Sequence, residues 1–199
     1  MTELLLVRHG LPESGVRDPG LSATGVEQAR RLAAWLEPDG IDAIVTSGMT
    51  RARETAAVLE ERLGLTAKVL DELREWDRDV PVSQYTPIEE MQADDPRAVA
   101  IAEGRFEDFV PQLDLPAFRR RVVAALDLVF ELYAESAQRV VVSTHGGLMN
   151  AYLAHLLDSP KVFWHNPAYT GVSRVERLAS GRTVIRSINE TGHLLGVRT

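Results

Sequence analysis

Two histidines of this 199-residue chain stand in settings that could do chemistry on an oxyanion. Val7-Arg8-His9-Gly10 closes a short apolar run, and Thr144-His145-Gly146-Gly147 closes a β-branched run and leads into a helical pattern. Each puts an imidazole where the backbone turns. Along a straight strand Arg8 and His9 would face opposite sides of a sheet. The two can address one site only if the chain bends, and Gly10 permits the bend. Gly146 and Gly147 let a ligand approach the main chain and leave the first amides of the next helix to an anion. A third run ends in Thr46-Ser47-Gly48-Met49-Thr50-Arg51 and delivers an arginine at a helix start. Two imidazoles, two guanidiniums and helix N-termini make a site for a tetrahedral oxyanion such as a phosphoryl group. Arginine offers forked donors to its oxygens. A neutral imidazole can attack phosphorus and split one hard displacement into two. The remaining task is in-line positioning and neutralisation of the equatorial oxygens.

The elements that must position these groups follow from hydrophobic spacing. Residues 2–8 read as a buried strand, and Ser22 opens a helix to Leu36 with Ala29, Leu32, Ala33 and Leu36 on one face. Thr24 with Glu27 offers a second capping box at its start. Residues 41–46 are strand-like, 50–63 helical with Gly64 as stop, and 67–70 a short strand. Pro116 suits a first helical turn, and Phe118, Val122, Ala125, Val129 and Leu132 continue it as a long amphipathic helix. Residues 139–143 form a strand, 147–157 a helix, and 171–178 with 182–189 a hairpin around Ser180-Gly181. This order predicts an α/β fold: a three-layer α/β/α sandwich with a mostly parallel sheet and an inserted lid segment. In such sheets ligands bind beyond the carboxyl ends of the strands. All three motifs fall there.

The ordered set Arg8-His9-Gly10, Leu21-Ser22-x-x-Gly25-x-x-Gln28-Ala29, Ser47-x-x-x-Arg51-Ala52-x-x-Thr55-Ala56, Leu73-Arg74-Glu75 and His145-Gly146 resembles the histidine phosphatase superfamily, the family of the cofactor-dependent phosphoglycerate mutases. Asn189 followed by His193-Leu194 is similar to its C-terminal signature. The resemblance implies His9 as a phosphorylated nucleophile, with Arg8, Arg51 and His145 binding the phosphoryl group. Gly146 joins the binding set through its open backbone. The resemblance also implies a carboxylic proton donor from the Leu73-Arg74-Glu75 segment, with Glu75 the first candidate. Glu72, Asp71 and Asp77 are neighbours that could serve instead. No metal and no cofactor are implied. The reaction expected is hydrolysis of a small phosphomonoester through a phosphohistidine. A mutase or a non-catalytic phosphate or phosphopeptide binder are the other readings. The chain departs from the family pattern at Leu11-Pro12-Glu13-Ser14-Gly15, which lacks an asparagine, and at Trp76-Asp77-Arg78-Asp79-Val80, which replaces a glycine and a Trp-Glu-Gly. Both border the expected substrate pocket.

Composition supports one domain over residues 1–199. It is 45% apolar and 26% charged, with a net charge of −7. Residues 76–116 carry ten acids against three bases, which equals the whole excess, and read as an acidic lid that would repel further negative groups. Nucleic acid and membrane are not expected partners. The absence of cysteine excludes thiolate sites and disulfides. With an N-terminus that matches no signal or transit peptide, it makes the cytoplasm the expected compartment. His155, His165 and His193 read as structural, Arg53 as a solvated or supporting residue, and Arg119-Arg120-Arg121 as an exposed face with one residue tucked against acids, not a nucleic-acid patch. Trp76, Tyr85, Phe106 and Phe109 read as a small core of the lid, or as a substrate wall.

Overall fold

A computed structural model describes residues 1–78, 85–87, 90–105, 108 and 112–196. Its elements are β1 (Thr2–Arg8), α1 (Ala23–Leu36), β2 (Ala43–Thr46), α2 (Thr50–Leu63), β3 (Lys68–Val69), α3 (Pro96–Ala102), α4 (Leu115–Tyr133), β4 (Arg139–Thr144), α5 (Gly146–Leu156), β5 (Val172–Arg177) and β6 (Thr183–Glu190). The strands form one sheet in the order β3-β2-β4-β1-β5-β6. β1, β4, β2 and β3 run parallel, and the β5–β6 hairpin adds to β1 antiparallel. The sheet is therefore mixed, with the parallel part carrying the site.

Strand periodicity dictates the layers. Alternate side chains of a strand face opposite sides, so an all-apolar run needs cover on both. Leu4, Leu6, Val45, Val140 and Val142 pack with Phe118, Val122 and Leu126 of α4 and Leu148 and Tyr152 of α5. Leu5, Val7, Ile44 and Val141 pack with Leu32, Ala33 and Leu36 of α1 and Ala56 and Leu59 of α2. Each such leucine or valine contributes roughly 1.5–3 kcal/mol over its exposed state. The expected three-layer α/β/α sandwich is the fold observed.

Register brings the three motifs side by side. Arg8 pairs with Thr144 across β1–β4, and Thr46 with Ser143 across β2–β4. Ser22 caps α1 by accepting from the Gly25 amide at 3.1 Å, so the helix starts there and not at a Thr24–Glu27 box. Gly25 has no room for a side chain: a Cβ would stand 2.1 Å from Leu11 O, and one at Gly10 would stand 2.6 Å from Gly25 O. These two glycines let the chain leaving β1 cross the start of α1. Asp114 caps α4 through the Ala117 amide at 2.9 Å, with Pro116 in the first turn.

Two lid expectations change. Trp76 packs against the main core beneath α4 and α5, and is not part of a separate lid core. Tyr85 pairs its main chain with Gly15 and Val16 at 3.1 and 2.9 Å and lies with its ring 4.8 Å from the Arg51 guanidinium carbon. Phe106 and Phe109 lie outside the described residues. Several acids of the 76–116 segment are paired within it: Asp95 with Arg97, and Glu103 and Asp108 with Arg105. Among the described residues no helix is long and apolar enough to cross a membrane.

Candidate active site

His9 lies one residue beyond β1 and is buried. Its Nδ1 is 2.8 Å from Gly10 O. A carbonyl oxygen only accepts, so Nδ1 carries the proton and Nε2 keeps its lone pair. Arg51 Nε–H donates to that Nε2 at 3.1 Å. Burial, then the charges of Arg51 and Arg8, hold the His9 pKa well below the usual imidazole range. The ring is therefore neutral, in one tautomer, at neutral pH.

Arg51 belongs to the first turn of α2, and its side chain is fully buried. Its Nη2 meets Asp77 Oδ2 at 3.3 Å, and its Nη1 stands 3.5 Å from Asp18 Oδ1. Asp18 also accepts from the Thr50 amide at 3.1 Å and so closes the start of α2. One turn along, Thr55 Oγ1 accepts from the Gly10 amide at 3.0 Å and donates to Arg51 O at 2.8 Å. That hydroxyl ties the end of β1 to the helix bearing Arg51.

His145 stands at the N-cap of α5, with its ring centroid 5.2 Å from that of His9. Its Nε2 is 2.7 Å from Ser47 Oγ, which accepts from the Met49 amide at 3.2 Å. We assign the Ser47 hydroxyl proton to this contact, which places the imidazole proton on Nδ1. That buried Nδ1 has no partner among the described residues. Burial and the Arg51 charge lower the His145 pKa well below its usual range, so this ring too is neutral.

Arg8 lies flat on Tyr169, its guanidinium carbon 3.7 Å from the ring centre, and Nη1 donates to Asn166 Oδ1 at 3.2 Å and Pro167 O at 2.5 Å. The Thr170 amide donates to Arg8 O at 3.0 Å. Thr170 is a β-branched residue at φ 56°, a conformation costing about 1–3 kcal/mol that surrounding contacts must hold. Its Oγ1 stands 2.9 Å from His193 Nε2, so the C-terminal turn braces the corner beside Arg8.

Glu75 is buried against α5. Oε2 accepts from the Gly147 amide at 2.7 Å, and Oε1 from the Trp76 amide at 3.1 Å. Burial, then the neighbouring Asp77 carboxylate, push its pKa up to about 7 despite those two amides. Asp77 is buried as well, and burial raises it while Arg51 pulls it back. Asp71 and Glu72 are exposed, unlike Glu75 and Asp77.

The structure thus brings together Arg8, His9, Arg51, Glu75, His145 and Gly146, with Asp77 beside them. It changes the reading of the glycine pair. The Gly147 amide is taken by Glu75 and is not left to a ligand, and a Cβ there would stand 2.5 Å from Glu75 Oε1. Gly146 is the glycine beside Arg8, a Cβ there falling 3.6 Å from Arg8 Nε. Ser47, Thr55, Asp18 and Tyr169 complete the site. Ser47 and Thr55 lie inside recognised motifs, but nothing in local spacing announces their partners. His155 and Arg53 are exposed, and His165 is half-buried against the Trp164 ring at 4.2 Å. Among the described residues no cluster of His, Asp or Glu is arranged to hold a metal.

A neutral imidazole flanked by two guanidiniums, a second neutral imidazole and a carboxyl poised near neutrality can run phosphoryl transfer. The model of the histidine phosphatase superfamily (branch 1) matches residues 4–191. The chain belongs to the histidine phosphatase superfamily. A probable phosphoglycerate mutase from Yersinia enterocolitica is a superfamily relative, 32% identical over 98% of this chain and 95% of its own. A mycobacterial glucosyl-3-phosphoglycerate phosphatase, solved with VO3, is 26% identical, with a TM-score of 0.73 and coverage of 96% and 100% of the two chains. Bacillus stearothermophilus YhfR shares the superfamily fold at a TM-score of 0.77 and 23% identity, over 98% of this chain and 100% of its own. Superfamily members of this kind are thus named both as phosphatases and as mutases.

Proposed function

We propose that the protein hydrolyses a small phosphomonoester through a phosphohistidine on His9 Nε2. The observation that carries this reading is the His9 tautomer: Nδ1–H bound to Gly10 O at 2.8 Å, lone pair outward on Nε2. That lone pair attacks phosphorus as the bond to the leaving oxygen breaks. Glu75 gives its proton to the leaving alkoxide. Water then attacks the phosphohistidine, its proton passes to the Glu75 carboxylate, and the P–N pair returns to Nε2. Arg8, Arg51, His145 Nδ1–H and the Gly146 backbone hold the equatorial oxygens. Arg51 Nε, which meets Nε2 at rest, turns to a phosphoryl oxygen once the lone pair is committed.

Quenching turnover of a labelled phosphomonoester in base tests the reading. Acid-labile label should appear on His9 and vanish in His9→Ala. Label on His145, or normal turnover by His9→Ala, would end it. No label on the enzyme and no phosphate release from any member of a broad monoester panel would favour a non-catalytic binder.

The relative named as a mutase supports a second reading, return of the phosphoryl group to the substrate. Asp77 and Asp18 lie against the two Nη atoms of Arg51 and offset part of its charge, which leaves less of it for a second phosphoryl group and supports hydrolysis over a bisphosphate-dependent mutase. 3-Phosphoglycerate assayed with and without 2,3-bisphosphoglycerate separates the two. A mutase gives bisphosphate-dependent isomer, and a phosphatase gives free phosphate.

A further inference from the structure

We propose that Arg121 is the positioning residue that holds the Glu75 proton donor at the site. The proposal rests on the reading of Glu75 as that donor. It concerns the arginine run on α4, which the chemistry above leaves unused.

The chain that delivers Glu75 is short of regular structure. A 3-10 turn covers Asp71–Leu73 and another begins at Trp76, with Arg74 extended between them at φ −67°, ψ 155°. Carbonyls in such a stretch have no ladder to join, and buried ones need donors. Two side chains supply them. Thr144 Oγ1 donates to Leu73 O at 3.0 Å. Arg121 serves the other three: Nη1 donates to Glu72 O at 2.9 Å and Arg74 O at 2.8 Å, and Nη2 donates to Glu75 O at 3.2 Å.

Four consecutive carbonyls are thereby fixed by β4 and α4, the two elements packed beside them. The guanidinium spreads these donors over two nitrogens in a fixed plane, whereas the three donors of an ammonium radiate from a single nitrogen and cannot keep this spacing. The Phe118 ring lies 5.1 Å from the Arg121 guanidinium carbon and backs it from one turn earlier. Its neighbours do other work: Arg119 Nη2 donates to Ser159 O at 2.6 Å, and Arg120 is exposed.

The Glu75 carboxylate is held by two amides, those of Trp76 and Gly147. Its reach toward a leaving oxygen depends on where the Glu75 main chain sits. Arg121 sets that position without touching substrate. A misplacement of about 1 Å in a reacting group can cost about 10²-fold.

The experiment compares Arg121→Lys with Glu75→Gln and the double variant, on phenyl phosphate and p-nitrophenyl phosphate. Phenolate is the poorer leaving group and needs the proton more. Glu75→Gln calibrates the assay, since a general acid is worth about 10²–10⁴-fold. Arg121→Lys should lower kcat/KM for phenyl phosphate about 10–100-fold and for p-nitrophenyl phosphate under about 3-fold. Added to Glu75→Gln, it should cost no more than about 2-fold further, because the two act on one step. Arg121→Met repeats the test without charge, and thermal unfolding reports whether each variant folds. Equal slowing of both substrates, multiplication of the loss with that of Glu75→Gln, or unchanged turnover by either Arg121 variant overturns the clamp. If Glu75→Gln itself treats both substrates alike, the donor assignment fails and the clamp falls with it. A donor effect from Glu75 without one from Arg121 sinks the clamp alone.

Discussion

The Gly147 amide donates to Glu75 Oε2 at 2.7 Å, and a Cβ on Gly147 would stand 2.5 Å from Oε1 of the same carboxyl and 2.9 Å from Trp76 Cδ1. The glycine is there for the carboxyl. Gly147→Ala should therefore push Glu75 and Trp76 aside. Alanine gains up to about 1 kcal/mol of helix propensity over glycine, so the melting temperature should hold or fall little. Hydrolysis of phenyl phosphate should fall about 10–100-fold, in the lower part of the range for a lost general acid. Wild-type turnover with an unchanged melting temperature would show that the carboxyl tolerates the methyl group.

The raised Glu75 pKa bears on both turnover and folding. With Glu75 as the proposed proton donor, only its protonated form is active, so turnover of phenyl phosphate should fall as pH rises through about 7, with p-nitrophenyl phosphate flatter. For folding, a carboxyl raised above its unfolded value favours the native state fully below about 4.5 and loses that contribution as pH climbs through about 7. Glu75→Gln carries no charge at any pH. Its stability relative to wild type should rise between pH 4.5 and 8, by at most about 3 kcal/mol. Chemical unfolding of both proteins across that range measures it. A constant difference would mean that Glu75 ionises as an ordinary carboxyl.

Asp77 stands between the two charges that matter, raising Glu75 while binding Arg51 Nη2 at 3.3 Å. Asp77→Asn removes a like charge from beside Glu75 and releases part of the Arg51 field. Both changes draw the Glu75 pKa toward its ordinary range. The alkaline limb for phenyl phosphate should move to lower pH, with the p-nitrophenyl phosphate profile less affected. A limb that stays put, or moves up, would assign the raised pKa to burial alone.

The parts of the site that could be read from the sequence are those that sit at strand ends. Arg8-His9-Gly10, Ser47 to Arg51 and His145-Gly146 each mark a point where an apolar run stops, and a parallel sheet sends all such points to one edge. The β5–β6 hairpin was legible from Ser180-Gly181, with Gly181 at φ 81° as that turn needs. Contacts made across the fold were not. Tyr169 under Arg8, His193 on Thr170 and Arg121 on the Glu75 segment each join residues far apart in the chain, and no periodicity encodes their meeting. Gly147 misled for a related reason. A glycine after a strand-end histidine reads as room for a ligand, whereas the neighbour that fills the room is a carboxylate seventy-two positions earlier.

Ser47 offers the contrast that separates phosphoryl binding from proton donation. Its Oγ stands 2.7 Å from His145 Nε2, and with the Ser47 hydroxyl assigned as the donor there, the His145 proton sits on Nδ1, which has no partner among the described residues. A neutral imidazole held in this tautomer can donate to a phosphoryl oxygen without adding charge. Ser47→Ala removes the hydroxyl and frees the ring to place its proton on either nitrogen. It also leaves the Met49 amide without its 3.2 Å acceptor, at a cost of about 1–3 kcal/mol in stability. A donor to a phosphoryl oxygen is needed whatever the leaving group. Ser47→Ala should thus slow phenyl phosphate and p-nitrophenyl phosphate by the same factor, about 10-fold or more, the size of one weakened oxyanion donor. Inorganic phosphate should also inhibit it less strongly. Leaving-group-dependent slowing would tie Ser47 to the Glu75 step, and unaltered phosphate inhibition would remove His145 from the binding set.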